Sequence, residues 1–482
     1  VTIGSGSWAN IQTKGDSAYG LVVQSIGGGG GIAMAGSTGS AARPGSQQFD
    51  MTAGNTTGSG DGGIINVSTG LDLNTYGDRA IGVVVQSIGG GGGIATSGSA
   101  NGAGAIALGS QRTESFGPSG WTVSLDLSGN ITTAGAGAHG IAAQSIGGGG
   151  GILGDVSQAI QFNPQGFARQ SIAANSDGGG GGMVNIAFNG SLTTRGDNAH
   201  GIVAQSIGGG GGLAGGAQGG FAGSIGPGGT SSIVQVKQWG ELQATGAGSA
   251  GIFAQSDSGS YYQGPVAIEI NGKVQGGSGS GSGVWIASGK DNQLIVNAGG
   301  SLGASSGVAV RYNGQGSTSA GNVLTIENFG ALSGSVLCST ADDGNACTLN
   351  NHVGAEAADA VAYNANVRND GLIVIGKPGQ FQTLTVSGSL TQSASGVLRA
   401  DVDFDALRSS RMVVQGDAYL AGGMDVLPQA LLPNRELVVL TAQGSSQGTL
   451  TAVDSPVFNY ETRQAGPDTR VRVESADFNA AS

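Results

Sequence analysis

Charge is scarce in this sequence. Asp, Glu, Lys and Arg make up 10% of its 482 residues, against about 25% in an ordinary soluble domain. Nineteen basic residues face 31 acidic ones, for a net charge of −12, and no run of Lys or Arg is present. Nucleic-acid binding is therefore not expected, and an anionic membrane surface would repel the chain. Three histidines and two cysteines are too few for a zinc centre, so no metal and no cofactor are expected. No apolar run approaches the roughly 18 residues of a membrane helix. Residues 1–10 lack the basic segment and apolar core of a secretory signal. Helix-compatible composition is missing too. There are 98 glycines, and each costs about 1 kcal/mol relative to alanine inside a helix. Helical bundles and doubly wound α/β enzymes are thereby disfavoured. The glycines come in runs rather than at every third position, which excludes collagen. Disorder would require few apolar residues and high charge, whereas 38% of this chain is hydrophobic. An all-β protein with many tight turns remains.

What is present is a repeat. Gln-Ser-Ile followed by five glycines occurs at 24–31, 86–93, 144–151 and 205–212, with a degenerate copy beginning Gln255-Ser256-Asp257. Upstream of each copy runs an alternating strand and a turn. Ile11-Gln12-Thr13-Lys14-Gly15-Asp16 matches Leu73-Asn74-Thr75-Tyr76-Gly77-Asp78 and Leu192-Thr193-Thr194-Arg195-Gly196-Asp197. Before each Gln, a large residue (Leu21, Val83, Ile141, Ile202, Ile252) and a smaller one (Val23, Val85, Ala143, Ala204, Ala254) lie two positions apart. That is the strand period, so both point inward and the Gln points to the opposite face. Strands this short cannot bury a core alone; successive copies must stack as a β-solenoid. Coils without glycine runs follow at 266–274, 294–302, 323–332 and 347–353. Asn, Asp or Gly recurs at corners, where positive φ is tolerated. The glycine runs carry no Lys-Ser/Thr, so they are not phosphate loops. The favoured reading lets the backbone leave the coil there into Gly/Ser/Ala/Gln-rich surface loops at 32–55 and 152–177. A glycine-only packing layer is the alternative.

Composition shifts near residue 366, which sets two regions: 1–366, a glycine-rich repeat solenoid, and 367–482, a strand–turn–strand region without glycine runs. The second contains a Pro378-Gly379 turn before Thr383-Leu384-Thr385-Val386-Ser387-Gly388 and an acidic strand at 401–403. It also contains the string Val413-Val414-Gln415-Gly416-Asp417-Ala418-Tyr419-Leu420-Ala421-Gly422. On these residues it resembles the autochaperone-like C-terminal part of pertactin-like autotransporter passengers. The preceding Gln-Ser-Ile-Gly repeats resemble those of large bacterial autotransporter adhesins. The resemblance implies a right-handed parallel β-helix with a C-terminal β cap, exported by type V secretion and held at the cell surface through an outer-membrane β-barrel. Neither that barrel nor a signal peptide stands in this sequence, as expected of an excised passenger. The C-terminal part is then expected to promote folding. The partners implied are surface glycans or proteins, or other copies of the chain. Cys338 and Cys347 flank Ala341-Asp342-Asp343-Gly344-Asn345, a turn-like segment. The absence of a third cysteine suits a disulfide-closed hairpin in a secreted chain; two free thiols are the alternative.

Candidates for chemistry are few. Gly-x-Ser-x-Gly occurs at Ser301, Ser305 and Ser446, but about two or three matches are expected by chance and none joins a strand to a helix. His139 and His200 fill the same slot of successive repeats, which reads as structure, and His352 stands in a turn. Asp16, Asp78 and Asp197 lie at Gly-Asp corners, where the ordinary role is bonding their own backbone. Arg195-Gly196-Asp197 would be an integrin-type tripeptide if exposed, yet only its Arg departs from the repeat. Trp8, Trp121, Trp239, Trp285 and Tyr261-Tyr262 have rings suited to stacking on sugars; for the first three, at strand starts, packing is the expected role. No catalytic residue is assigned. The reading is a non-catalytic surface passenger that presents loops for adhesion, cell–cell contact or biofilm. Its rivals are a β-helical enzyme acting on surface polysaccharide and an inert stalk for an upstream segment.

Overall fold

A computed structural model describes residues 1–4, 8–35, 51–53, 60–97, 106–108, 117–161, 170–172, 179–215, 220–224, 228–258, 262–314, 322–338, 347–377, 379–431 and 435–476. The described residues form an all-β protein of long parallel ladders, the architecture of a β-solenoid, without helices. They divide into two compact units, one comprising Val1–Ile268, Lys273–Asn292 and Gly314–Asn322, the other Glu269–Gly272, Gln293–Asn313 and Val323–Ser482.

In the first unit the repeat stacks in register. Trp8–Thr13, Ile65–Thr75, Val123–Thr133, Val184–Thr194 and Val234–Ala244 form one parallel ladder. Leu21–Ile26, Val83–Ile88, Ile141–Ile146, Ile202–Ile207 and Ala250–Asp257 form a second, Gln on Gln and Ser on Ser. Alternation explains the first: in Val184–Thr194 the apolar Val184, Ile186, Phe188 and Leu192 are buried and the residues between them are not. The corner between the ladders follows the repeated Gly-Asp. Ser17, Arg79 and Asn198 there have φ near +55°, at 54°, 59° and 52°. Each corner is closed by a threonine, Thr13, Thr75 or Thr194, whose hydroxyl donates to the carbonyl five residues on.

The second ladder departs from simple alternation, being buried on both faces. Its inward residues are the predicted large and small pairs. Its other face is covered by a second sheet, and the glycine runs build that sheet. Gly30–Ala35, Gly92–Ser97, Gly150–Gly154 and Gly211–Gly215 pair in parallel, glycine on glycine, and Gly220–Ser224 closes the row antiparallel. The last two glycines of each run thus form a packing layer, the alternative reading, and the chain continues from them as a strand; most of the loops expected at 32–55 and 152–177 lie outside the described residues. The physical reason is the spacing: a Cβ on Gly92 would stand 2.0 Å from the carbonyl oxygen of Gly150, and one on Gly150 2.0 Å from that of Gly211. Between the sheets lies a core of Val84, Ala142, Val203 and Phe253 from one side and Ile94, Ile152 and Leu213 from the other. The glutamines cross-link it. Gln24, Gln86, Gln144 and Gln205 each donate Nε2 to the Oε1 of the next coil's glutamine, at 2.7 to 2.8 Å. Gln86 and Gln205 also reach the carbonyls of Gly93 and Gly212.

The second unit stacks three ladders of shorter strands. Leu324–Asn328, Cys347–Asn351, Asn366–Asn369, Leu390–Gln392, Ala418–Leu420 and Ser446–Gly448 make one. The composition change at 366/367 falls inside a strand of it. Ala331–Cys338, Glu356–Ala358, Leu372–Ile375, Val397–Asp403, Gly423–Ala430 and Thr451–Val453 make another. The third runs through Ala362–Tyr363, Thr383–Val386, Arg411–Val414 and Glu436–Ala442. At its end the pairing turns antiparallel: Asp468–Ala476 lies between Glu436–Ala442 and Phe458–Ala465. Phe458–Ala465 has no counterpart in the sequence reading, because its residues do not alternate cleanly. Pro378 of the Pro-Gly turn lies outside the described residues. A buried amide ladder runs Asn328→Asn351→Asn369→Gln392 at 2.8, 2.8 and 3.0 Å. Replacing Asn351 by leucine takes the acceptor from one Asn328 Nδ2 hydrogen and the donor from Asn369 Oδ1 in a buried ladder, and should destabilise this unit by about 2–4 kcal/mol in denaturant unfolding.

Candidate functional site

The residues singled out for chemistry are dispersed or engaged in stacking. Ser305 is exposed, Ser301 opens the strand Ser301–Tyr312, and Ser446 accepts a hydrogen bond from Gln464 Nε2. The ring of His352 lies flat on Phe329, centroids 4.0 Å apart, and its Nε2 is 2.6 Å from Glu327 Oε2. Among the described residues, no group of three His, Cys, Asp or Glu side chains is placed to hold a metal.

His139 and His200 are fully buried and stacked, centroids 5.0 Å apart. The stack continues to Phe253 and on, edge to face, to Trp285. Each imidazole Nδ1 accepts a main-chain N–H of the next coil, from His200 to His139 and from Ala250 to His200. That assignment leaves the proton on Nε2, which has no partner in the apolar core. Burial pushes His139 down to about 4, and burial with the neighbouring imidazole holds His200 well below its ordinary value.

The corner aspartates bond the backbone of the next coil rather than their own. Asp16 Oδ1 accepts from Asp78 N, Asp78 Oδ1 from Ala136 N, and Asp197 Oδ1 from Ala247 N, all in the next coil. Local spacing carries no sign of a neighbour some 60 residues away, so only the stacked structure shows it. Arg79 bridges two of these levels, reaching Asp16 at 3.8 Å and Asp155 at 3.6 Å. In Arg195-Gly196-Asp197 both charged side chains are exposed, while one Asp197 oxygen is held in the corner.

The tryptophans overturn the packing expectation. Trp8 is 59% exposed, Trp121 47% and Trp239 37%; only Trp285 is buried. Trp239 also lies in the middle of its strand, Val234–Ala244. Tyr262 is exposed, and Tyr261 lies outside the described residues. Trp8 is held in place: its indole Nε1 donates to Asp72 Oδ2 at 2.6 Å, and Asn130 donates to the other carboxylate oxygen at 2.8 Å. The Trp8 hydrogen bond and then the Asn130 one keep the Asp72 carboxyl below its ordinary value. The ring lies across glycines, since a Cβ at Gly70 would meet Trp8 Cε3 at 2.4 Å. Gly70, Ser128 and Asn189 separate Trp8 from Trp239 in one register column. For Trp8, repeat alignment alone contained this signal, through Gly70 at the facing position. In the second unit Cys338 and Cys347 are joined by a disulfide, S–S 2.00 Å and Cα–Cα 6.4 Å; the turn-like segment between them lies outside the described residues.

No protein-family model matches the chain, and no curated protein does. Among solved structures the chain is similar to the Hap adhesin of Haemophilus influenzae, at 12% identity and a TM-score of 0.24. The match covers 85% of this chain and 61% of that one, so the chain spans less than two thirds of that adhesin's length.

Proposed function

We propose that this chain is a non-catalytic passenger displayed at a bacterial surface, a right-handed β-helix that holds aromatic and polar contact positions in solvent for adhesion. The observation that carries the reading is the division of labour among side chains. Polar groups suited to chemistry are consumed in the scaffold: the Gln ladder, the corner aspartates Asp16, Asp78 and Asp197 and the stacked His139 and His200 bond from coil to coil, and the Thr hydroxyls close the corners, whereas Trp8, Trp121, Trp239 and Tyr262 are left exposed. Rings fixed over a polar sheet suit weak contacts with sugar faces or protein surfaces, and repetition along a solenoid adds them together. The antiparallel end of the second unit serves in this reading as the cap that blocks further strand addition and supports folding during type V secretion. Attachment would run through an outer-membrane barrel of the same precursor.

Binding of the purified chain to immobilised glycans and matrix proteins tests the proposal. Saturable binding is expected, weakened about three- to tenfold by Trp8→Ala or Trp239→Ala. Binding to none of these surfaces by a chain with an intact β-rich spectrum would sink it.

A further inference from the structure

We propose that the outer column from Trp8 to Trp239 binds one linear, uncharged, β-1,4-linked glycan, laid along the stacking direction with one sugar unit per coil. The inference deepens the display reading and rests on it. The column belongs to the first ladder. Trp8 pairs with Gly70, Gly70 with Ser128, Ser128 with Asn189 and Asn189 with Trp239. Those four coil steps span about 19 Å at a rise of about 4.8 Å per coil. Ser128, Asn189 and Trp239 are exposed, and each precedes a glycine, Gly129, Gly190 or Gly240.

The Trp8 ring is aimed down the column toward Trp239. It lies over Gly70, and a Cβ on Gly129, one coil further on, would meet its Cη2 and Cζ2 at 3.0 Å. Asp72 fixes that direction by accepting the indole N–H. All of these contacts are with later coils. Between the two rings stand Ser128 and Asn189, flanked by Gly129 and Gly190, so a chain can lie close to the backbone there. Among the described residues the Ser128 hydroxyl, the Asn189 amide and the Trp239 indole N–H have no hydrogen-bond partner. All three can donate, and the hydroxyl and the amide can also accept, which is what sugar hydroxyls require.

Spacing and charge select the occupant. An indole face takes the apolar face of a sugar ring. A β-1,4-linked pyranose chain is flat and extended, and each unit advances about 5 Å, close to the coil rise of about 4.8 Å. Such a chain stays in step with the column over four coils, whereas an α-linked chain winds away from it. Within two positions of the column on either side, coils two to five carry Asp72, Asp126 and Glu241 against one base, Lys237. That excess of carboxylates repels an acidic polysaccharide and offers acceptors to neutral hydroxyls. A protein surface has no repeat at the coil spacing.

Isothermal titration calorimetry of the full chain with cellulose and chitin oligomers, from disaccharide to hexasaccharide, reads the outcome. The hexasaccharide is expected to bind about tenfold tighter than the disaccharide, because it alone reaches both rings. Trp8→Ala and Trp239→Ala should each abolish that length advantage while changing disaccharide binding by about threefold or less. Asn189→Arg places a long charged side chain between the rings; it should weaken the hexasaccharide about tenfold and spare the disaccharide. Tyr419→Ala, an exposed aromatic of the second unit, should change neither. Circular dichroism checks folding, and Asn189→Arg remains informative if a tryptophan variant does not fold. A hexasaccharide that binds no tighter than the disaccharide, or a length advantage that survives all three column variants, would overturn the proposal. Binding to heparin or matrix proteins alone would overturn it too and leave the display reading standing; binding to nothing would sink both.

Discussion

Alanine at Gly151 is expected to destabilise the first unit by about 1–3 kcal/mol more than alanine at Gly31, although the two backbones are almost the same. Their φ values are +134° and +136°, a region L side chains enter at a strain of about 1–3 kcal/mol. That strain is common to both substitutions and cancels in the comparison. What differs is the neighbour. The new Cβ at Gly151 would lie 2.0 Å from the Gly93 carbonyl oxygen, and that at Gly31 would face open space. The Gly93 carbonyl belongs to a backbone bonded in register on both sides, so it cannot yield without spreading two coils. Overpacking against atoms of this kind costs about 1–3 kcal/mol or more. Gly31→Ala should therefore lose about 1–3 kcal/mol and Gly151→Ala about 2–6 kcal/mol, read as the shift in denaturant midpoint. Equal losses would show that the stacked glycine layer is not what holds the two sheets together.

Acid should loosen the same unit through its buried histidines. An imidazole that titrates near 6.5 in the unfolded chain and about 4 at His139 in the folded one binds fewer protons when folded. Its share of stability is complete above about pH 6.5 and is lost as pH falls through the folded value near 4. For His139 the full loss is about 3 kcal/mol, from 1.36 kcal/mol per pH unit. His200 adds to it in the same direction. His139→Asn keeps an acceptor for the His200 amide but does not titrate. Unfolding of the wild-type chain should become easier by about 3 kcal/mol or more between pH 7.5 and 4, and the Asn variant should show a smaller drop over that range. An identical pH profile for the two proteins would remove His139 from the account.

These two outcomes also mark how far the sequence could be read. The repeat, the strand period and the Gly-Asp corners were legible because a solenoid writes each level of its interior into one stretch of sequence. Leu21, Val83, Ile141, Ile202 and Ile252 announce their own column. The equivalent slots of His139 and His200 were legible for the same reason, which is why catalysis was set aside. The second sheet was not legible. A run of five glycines has no side-chain pattern, and both of its readings, exit and packing layer, suit that composition equally. Only the partner strand decides between them, by bringing a carbonyl to the place where a Cβ would be.

The exposure of Trp8, Trp121 and Trp239 was not legible for a related reason. Apolarity predicts burial on average, yet it does not say which side of a bent strand faces solvent. Trp8 is held outside by Asp72 and Asn130, residues of the second and third coils. The sequence by itself determined the class of architecture and the identity of the stacked columns, since these follow from periodicity along one chain. The tertiary structure alone decided what each column touches across the coil: Asp16 on the next backbone, Gln24 on Gln86, Gly92 under Gly150. Such contacts join residues about 60 positions apart, and no local preference of the chain encodes that separation.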